Sequence, residues 1–402
     1  MDTKNTSTET NNKPEKRETL FGIFNDSFPP MMDGVAVCVE NTAYWLHRKG
    51  EQVCVVTPTV PDYPYTTPYP LLSYVSLPLI LRRPYRIGIP EVDFSIRTKL
   101  DATPFSLVHA HCPFSSGKLA LRVKEKQKVP MIATFHSKYK DDFKRAVLNK
   151  HIVELMVKEV VKFYEAADEV WIPQASVEET IREYGYKGKL TVVENGTDFS
   201  ADGFDASMKL KAREEIGASP GDMVFLFVGQ HIWEKNIRLI VESLDIVRHL
   251  PYKMFFVGTG YAAEELKRFV GELHLSDKII FTGPVYDREK LKTYYAASDL
   301  FLFPSLYDNA PLVVREASAM HTPSVLVKDS TAAEIIQNNS NGFLIKNSAQ
   351  DLAHLIAELY SDPARLQLAG ENASLTIARS WENIAGEISD RYHSLIQRKW
   401  KQ

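Results

Sequence analysis

Residues 19–58 read TLFGIFNDSFPPMMDGVAVCVENTAYWLHRKGEQVCVVTP, and the order of their patterns predicts a βαβ unit. The apolar runs at the two ends are typical of buried strands. Val35 to Lys49 has helical spacing, and Gly50 is well suited to end that helix. A glycine-bearing loop follows the first strand, which is the usual ligand position in a parallel sheet. The opening segment therefore predicts an α/β fold with a ligand site beside this loop.

The same alternation of strands and helices continues along the chain in two series. The first series runs to about residue 198 and includes a long helical stretch, FKRAVLNKHIVELMVKEVVKFYEAA. The second begins at MVFLFVGQ and continues to NGFLI. Two such arrays predict two doubly wound α/β domains, with the ligand site in the cleft between them. The predicted boundaries are a disordered tail at 1–17, domains at 18–200 and 201–380, and a terminal helix at 381–402.

The composition is that of a globular protein, with 44% hydrophobic and 25% charged residues. The net charge of −3 argues against a general nucleic-acid binder. The longest apolar stretch, at 71–81, is short for a membrane span and contains Pro78. Three cysteines without metal-like spacing, and a polar amino terminus without a signal peptide, lead us to expect a cytoplasmic protein.

The charge is unevenly distributed, because Tyr69 to Tyr164 contains 17 lysines and arginines against 8 acidic residues, a balance of +9. Within this region SYVSLPLILRRPYRIGIPEVDF mixes apolar residues with arginines. The helical stretch that follows sets apolar side chains beside basic ones: Leu148, Ile152, Leu155 and Met156 beside Lys144, Arg145, Lys150 and Lys158. This pattern fits an interfacial helix on an anionic membrane, and it fits a sheet-packing helix with a solvated face equally well.

Residues 305–320, SLYDNAPLVVREASAM, hold two acidic side chains on either side of a predicted helix start near Ala310–Pro311. Asp308 lies in the loop, and Glu316 lies about 7.5 Å along the helix axis. Helix amino termini favour bound phosphate, so one carboxylate can reach a sugar and the other a ribose. In the alternative interpretation Asp308 caps the helix and Glu316 pairs with a neighbouring cation.

The segment VGQHIWEKN places Lys235 six residues after Gly229, in a loop that follows a predicted strand. A lysine there can neutralise a diphosphate as its bond to a sugar breaks. The alternative is a solvated surface lysine.

The histidines His109 and His111 lie on one side of a strand end, and His136 follows another strand. His136 faces the predicted cleft and is well placed for a hydrogen bond to substrate, whereas a structural role suits His109. Since no Asp, Glu or Cys spacing completes a zinc set, the sequence does not favour a metal site here.

Several motifs occur in a fixed order over nearly the whole chain. They are the opening FPPMMDG segment, VHAHCPF, TFHS, ENGTD, VGQHIWEKN, DNAPLVVREASAM, STAAEIIQNNSNGFLI and SWENIAGEI. In this order they resemble a family 4 glycosyltransferase with the two-domain GT-B fold. The resemblance implies transfer of a hexose from a nucleotide sugar, expected to be UDP-glucose or UDP-galactose, with retention at the anomeric carbon. It also implies that the last helix crosses back onto the amino-terminal domain.

The resemblance also assigns roles to residues. Asp308 faces the donor sugar, Glu316 holds the ribose, Lys235 contacts the diphosphate and His136 is the active-site histidine. The remaining donor-binding positions are Gly34, Gln230, Asn309, Ala310, Pro311 and Leu312, with backbone N–H groups expected from 309–312. The family more often has Arg at the position of Gln230 and Glu at the position of Asp308. No metal or other cofactor and no covalent enzyme intermediate are expected, because the departing diphosphate itself takes the acceptor proton.

The acceptor is predicted from the segments HAHCPFSSG and LPLILRRPYRIGIP, which resemble the diacylglycerol glucosyltransferase branch. A lipid acceptor on an anionic membrane surface is therefore expected, with His111 and Phe114 on the acceptor side and the protein peripherally associated. The alternatives are a saccharide acceptor, a nucleotide-sugar epimerase, and a non-catalytic sugar-nucleotide binder.

Overall fold

The computed structural model describes residues 19–31, 33–79, 85–200 and 204–400. The predicted tail at 1–17 lies outside these residues, and so do two arginines of the predicted basic segment, Arg82 and Arg83.

Within the described residues, the amino-terminal half forms a seven-stranded parallel sheet with helices between its strands. Its elements are β1 (Leu20–Phe24), α1 (Gly34–Arg48), β2 (Gln52–Pro58), β3 (Leu71–Tyr74), β4 (Ser76–Pro78), β5 (Arg86–Gly88), α2 (Phe94–Ala102), β6 (Leu107–Ala110), α3 (Ser115–Gln127), β7 (Met131–Thr134), α4 (Tyr139–Ala146), α5 (Lys150–Glu165), β8 (Glu169–Ile172), α6 (Val177–Glu183) and β9 (Leu190–Val192). The strand order is β3-β2-β1-β6-β7-β8-β9, and β4 and β5 form a separate antiparallel pair.

The carboxyl-terminal half forms a second parallel sheet, six-stranded in the described residues. Its elements are α7 (Ala206–Ile216), β10 (Met223–Val228), α8 (Ile237–Ile246), β11 (Tyr252–Val257), α9 (Ala263–Glu272), β12 (Ile279–Gly283), α10 (Arg288–Ala297), β13 (Leu300–Leu302), α11 (Leu312–Ala319), β14 (Ser324–Val327), β15 (Gly342–Ile345), α12 (Ala349–Ser361), α13 (Pro363–Thr376) and α14 (Trp381–Trp400). The strand order is β12-β11-β10-β13-β14-β15. Both sheets are therefore doubly wound, as the sequence predicts.

The central strands are mostly apolar and buried, as expected for parallel sheets with helices on both faces. All six residues of β10, for example, are buried. The order of strands reverses between β1 and β6 in the first sheet and between β10 and β13 in the second. Ligands bind outside the carboxyl ends of strands at such a reversal, so the loops after these four strands are where a site is expected.

The last helix, α14, packs against the first sheet although it follows the second one in the chain. Trp381, Ile388 and Tyr392 of this helix belong to the same apolar cluster as Phe21 of β1 and Leu46 of α1. The Tyr392 ring lies edge-on to the Phe21 ring, with centroids 4.9 Å apart. The carboxyl terminus therefore forms part of the core of the amino-terminal half.

Two helix boundaries differ from the sequence prediction. The stretch at 143–167, predicted as one helix, is broken between α4 and α5, because Asn149 Oδ1 accepts a hydrogen bond from His151 N and starts a new helix. The predicted helix start at Ala310–Pro311 is also slightly early, since Pro311 is the extended residue before α11, with φ −68° and ψ 127°.

Candidate functional site

An ion pair lies at the carboxyl edge of the second sheet, in the loops after β10 and β13. Lys235 ends a short 3₁₀ turn, and its Nζ is 2.9 Å from Asp308 Oδ1. The other carboxylate oxygen of Asp308 accepts a hydrogen bond from Ser305 Oγ at 2.6 Å. Both charged side chains are largely buried, with 12% and 19% of their surface exposed. The two predicted site residues are thus in direct contact just before α11.

The loop that carries Lys235 is shaped by close backbone packing. A Cβ on Gly258 would lie 2.0 Å from the Gly229 carbonyl oxygen, and one on Gly260 would lie 2.3 Å from that of His231. Only glycine fits such an approach. The glycines of VGTG therefore hold the loop after β11 against the loop after β10, which accounts for them without a ligand.

The turn before α11 is tied to the amino-terminal half by two amide side chains. Asn309 Nδ2 donates to the His136 carbonyl oxygen at 2.9 Å, and Asn195 Nδ2 donates to the Ala310 carbonyl oxygen at 3.2 Å. Among the described residues, Asn309 Oδ1 is buried without a hydrogen-bond partner. The expectation of N–H donors throughout 309–312 is wrong at Pro311, because proline has no N–H.

Glu316 lies on α11, is 5% exposed and has partners at both carboxylate oxygens. Oε1 is 2.8 Å from Arg288, and Oε2 accepts from the Tyr295 hydroxyl at 2.7 Å. Arg288 also pairs with Asp198. Burial, followed by the nearby charge of Asp198, raises the pKa of Glu40 on α1. Helix α1, which carries Glu40, therefore lies beside Asp198 and Arg288, the charged neighbours of Glu316.

The start of α1 leaves open space at Gly34. Asp33 caps the helix by accepting from Val35 N and Ala36 N at 2.9 and 2.8 Å. A Cβ placed on Gly34 would meet no heavy atom of the described residues within 4 Å. The position is thus accessible to a ligand, as a donor-binding glycine requires.

The three histidines form a row in which His109 and His111 are buried and His136 is half-buried. His111 Nδ1 is 2.9 Å from His136 Nε2, and the two rings are stacked with centroids 5.2 Å apart. His109 contacts the Tyr392 hydroxyl through Nδ1 at 2.6 Å and Thr134 Oγ1 through Nε2 at 2.7 Å. Burial lowers the pKa of His109 to about 3, that of His136 to about 4 and that of His111 well below its usual value. All three imidazoles are therefore neutral at pH 7.

The two residues predicted for the acceptor side occupy different environments. Phe114 is 41% exposed, and its ring lies edge-on to Tyr139 at 5.6 Å. His111 is only 3% exposed and lies behind His136. The acceptor-side role of His111 stays a prediction, and in this structure His136 is the neighbour of its ring.

Gln230 reaches across the cleft, where its Nε2 donates to the Tyr85 hydroxyl at 3.1 Å. A charged arginine at this position would face the same region between the two sheets. The glutamine instead contributes a neutral link between the loop after β10 and the residue before β5.

Sequence reasoning missed several charged residues that the fold brings to the site. Lys138, two residues after His136, donates from Nζ to the Leu306 carbonyl oxygen at 3.0 Å. Burial lowers the pKa of Lys138, while Asp141 and then Asp308 oppose that shift. The position of Lys138 just after the TFHS motif was the available signal. Nothing in the sequence indicated Arg288, whose partner Glu316 is far away along the chain.

One group of side chains has the composition of a metal site. Cys38 of α1 approaches His111 and His136, and one ligand atom of each residue lies within 4.8 Å of the others. Sequence spacing could not reveal this cluster, because Cys38 lies on α1, whereas His111 follows β6 and His136 follows β7.

Comparison with known proteins identifies both halves. Residues 32–201 match the profile of Glycosyltransferase Family 4, and residues 208–376 match that of Glycosyl transferases group 1. The alpha-monoglucosyldiacylglycerol synthase of Acholeplasma laidlawii is 23% identical over 400 residues, covering 94% of this chain and 99% of the relative. The D-inositol 3-phosphate glycosyltransferase 2 of Catenulispora acidiphila is 29% identical, covering 73% of this chain and 71% of the relative.

Solved structures show the same architecture. Anabaena HepE in complex with UDP and glucose superimposes with a TM-score of 0.75 at 18% identity, over 94% of this chain and 100% of HepE. The sucrose-phosphate synthase of Thermosynechococcus elongatus gives 0.79 at 21% identity, over 94% and 100%. Because the two profiles together span most of the sequence and the two parallel sheets match these structures, the chain belongs to the family 4 glycosyltransferases and has the GT-B fold.

Proposed function

We propose that this glycosyltransferase moves a hexose from UDP-glucose or UDP-galactose to a hydroxyl group of a membrane lipid, with retention at the anomeric carbon. The observation that carries the proposal is the ion pair of Lys235 and Asp308 at the start of α11, beside His136. It places a cation, a carboxylate and a helix amino terminus together at the carboxyl edge of the second sheet.

In this proposal the donor diphosphate lies at the start of α11. The N–H groups at a helix start and the helix dipole stabilise an anion. Lys235 then exchanges Asp308 for the diphosphate and compensates the charge that grows as the glycosidic bond breaks. Asp308, released from the ammonium group, accepts hydrogen bonds from sugar hydroxyls. Glu316 keeps lone pairs free for ribose hydroxyls while Arg288 and Tyr295 hold it in place.

The bond changes proceed on one face of the sugar. The bond between the anomeric carbon and the diphosphate oxygen breaks, the acceptor oxygen bonds to the same carbon from the same side, and a diphosphate oxygen takes the acceptor proton. The protein positions the reactants and stabilises charge. Lys235 and the helix terminus supply the positive charge, so no metal takes part in this reaction.

The donor is supported by the relatives. HepE is described in complex with UDP-glucose and with UDP and glucose, and two related proteins are named as alpha-monoglucosyldiacylglycerol synthases. These names describe those proteins, and they make UDP-glucose the first donor to test here.

The lipid acceptor is supported by an exposed apolar face at the start of α5. Leu148 is 99% exposed, Leu155 61% and Ile152 46%. Three lysines of the same segment are exposed as well: Lys144, Lys150 and Lys158. Val153 and Val157 occupy the opposite, buried side of the helix. Helix α5 thus has features of both alternatives from the sequence. One side packs on the core, as in a sheet-packing helix, and the other side exposes apolar residues, as in an interfacial helix.

This face has the properties of a surface that binds an anionic membrane. Each exposed leucine is worth about 1.5–3 kcal/mol when buried, and each lysine near an anionic surface contributes about 1 kcal/mol. No helix among the described residues has the length and apolar character needed to cross a bilayer. Peripheral attachment to an anionic membrane surface through the face of Leu148, Ile152 and Leu155 is the proposed mode.

The experiment is a screen of donors against acceptors with the purified protein. UDP-glucose and UDP-galactose are each incubated with diacylglycerol in phosphatidylglycerol vesicles, with D-inositol 3-phosphate, or without acceptor, and products are identified by mass spectrometry and proton NMR. The proposal predicts a glycolipid with the donor's anomeric configuration. An inverted glycolipid contradicts retention, and glycosylated inositol phosphate alone contradicts the lipid acceptor. Interconversion of the two donors indicates an epimerase, and binding without turnover indicates a non-catalytic protein.

A further inference from the structure

A small pocket with a cavity volume of about 20 Å³ lies between α1, the ends of β6 and β7, and α14. Cys38, His111 and His136 line it, together with Asn195. One nitrogen of each histidine and the Cys38 sulfur lie within 4.8 Å of one another. Ligand atoms around a tetrahedral zinc ion at about 2.0–2.3 Å from the metal are about 3.3–3.8 Å apart, so side-chain shifts of about 1 Å bring these three atoms to one ion.

The hydrogen bonding of the pocket is incomplete. His111 Nε2 is buried, and within the described part of the chain it has no hydrogen-bond partner. The side chain as a whole is 3% exposed. A buried polar atom without a partner is unfavourable, and this one belongs to a side chain that lines the pocket. The Cys38 sulfur is only weakly held, since its contact with Asn195 Oδ1 is 3.7 Å long.

We propose that Cys38, His111 and His136 bind a single Zn²⁺ ion, with the Asn195 side-chain oxygen or a water molecule as the fourth ligand. Thiolate and imidazole ligands favour Zn²⁺ over Mg²⁺ or Ca²⁺, which prefer oxygen. On binding, the Cys38 thiol loses its proton to solvent water and the thiolate sulfur bonds to the metal. The histidines already offer neutral nitrogens.

Zinc at this site inhibits sugar transfer, and this consequence rests on the proposed function. His136 is the histidine next to the donor position, and its carbonyl is fixed by Asn309. A metal bound to its ring removes the imidazole from the substrate. The site is therefore inhibitory and separate from the metal-free reaction described above.

The test uses the full-length protein without a histidine tag and Co²⁺ as a spectroscopic substitute for Zn²⁺. The expected result is one equivalent of Co²⁺, with a thiolate charge-transfer band and the strong visible absorption of tetrahedral cobalt, both displaced by Zn²⁺. Cys38→Ser should abolish the band and weaken binding at least tenfold. Cys54→Ser, which changes another buried cysteine, on β2, is the matched control and should behave like the wild type.

Circular dichroism melting of the metal-free proteins shows whether each variant folds. If Cys38→Ser does not fold, His111→Gln is measured in its place, and native mass spectrometry of the wild type gives the number of zinc ions bound. Absence of binding, a weak octahedral cobalt spectrum, or wild-type affinity in a folded ligand variant overturns the site. Binding without inhibition of glycolipid synthesis leaves the site intact and overturns only its effect on His136. Loss of all glycosyl transfer in metal-free protein contradicts the proposed function instead.

Discussion

Arg145 of α4 forms an ion pair with Glu234, the residue before Lys235, with Nη1 2.9 Å from Oε1. Its guanidinium also lies over the Tyr307 ring, 4.5 Å from the centroid, and the Tyr307 hydroxyl donates to Asp142 at 2.8 Å. The helix next to the exposed apolar face is therefore connected to both loops that hold the Lys235–Asp308 pair. The proposed membrane-binding face and the proposed donor site are therefore joined through α4.

We expect Arg145→Ala to raise the KM for the nucleotide sugar about two- to fivefold, because a partly exposed pair is worth up to about 1 kcal/mol. Steady-state kinetics on lipid vesicles measure this change. Lys162→Ala, which removes an exposed pair with Glu159 on α5, is the control. The double variant with Glu234→Ala should be no worse than Arg145→Ala alone, and full additivity contradicts the link.

Lys235→Ala and Glu316→Ala should each reduce turnover at least tenfold, which corresponds to about 1.4 kcal/mol of transition-state stabilisation. The first removes the cation for the leaving group, and the second removes the partner of Arg288. Product formation and circular dichroism are measured together. Lys267→Ala, on the exposed side of α9, should keep wild-type turnover. Wild-type rates in folded Lys235→Ala or Glu316→Ala contradict the assigned site.

Replacing Leu148 and Leu155 by serine should weaken binding to phosphatidylglycerol vesicles at least tenfold, because two exposed apolar side chains no longer enter the membrane surface. Vesicle sedimentation measures the affinity. Leu375→Ser alters a leucine of the carboxyl-terminal half that is 82% exposed, and it should leave the vesicle affinity unchanged. If Leu375→Ser weakens vesicle binding as much as the double substitution at Leu148 and Leu155, a specific binding face is contradicted.

The unfolding free energy should fall between pH 6.5 and 4 in part because of His231. This side chain is 1% exposed, and burial, aided by the charge of Lys267, lowers its pKa to about 4. The unfolded chain binds the proton near pH 6.5, so acid favours unfolding in this window. Each pH unit costs about 1.4 kcal/mol for one such group.

Urea unfolding of the wild type and His231→Leu at pH 7 and pH 5 measures this contribution. The variant should lose about 1.5–2 kcal/mol less than the wild type on acidification. His249→Leu removes an exposed histidine and should follow the wild type. Identical losses in all three proteins contradict the role of His231.

The sequence predicted what local patterns determine. β1 and β2 occur where the apolar runs indicated, because strands of a covered parallel sheet are apolar throughout. The break between α4 and α5 was missed because a single side-chain cap at Asn149 interrupts a continuous helical pattern. Lys235 and Asp308, which the motifs selected, lie in contact, and their roles stay predictions.

The sequence patterns did not predict contacts between segments that are far apart in the chain. Lys235 and Asp308 were each selected from their own motif, yet their direct pairing depends on the order of β10 and β13 in the sheet. Cys38 looked like one more apolar position of α1 until the fold placed it beside two histidines. Arg145 looked like part of a basic face and instead points into the cleft.

The position of α14 has a consequence for biosynthesis. The ribosome makes β1 long before α14, but both contribute to one apolar cluster. The cluster of the second half does not include α14. The half that is translated first should therefore be the last to finish folding, against the usual amino-to-carboxyl order. In chains stalled with α13 outside the tunnel and Trp381 still inside, protease should digest the early half and spare the later one.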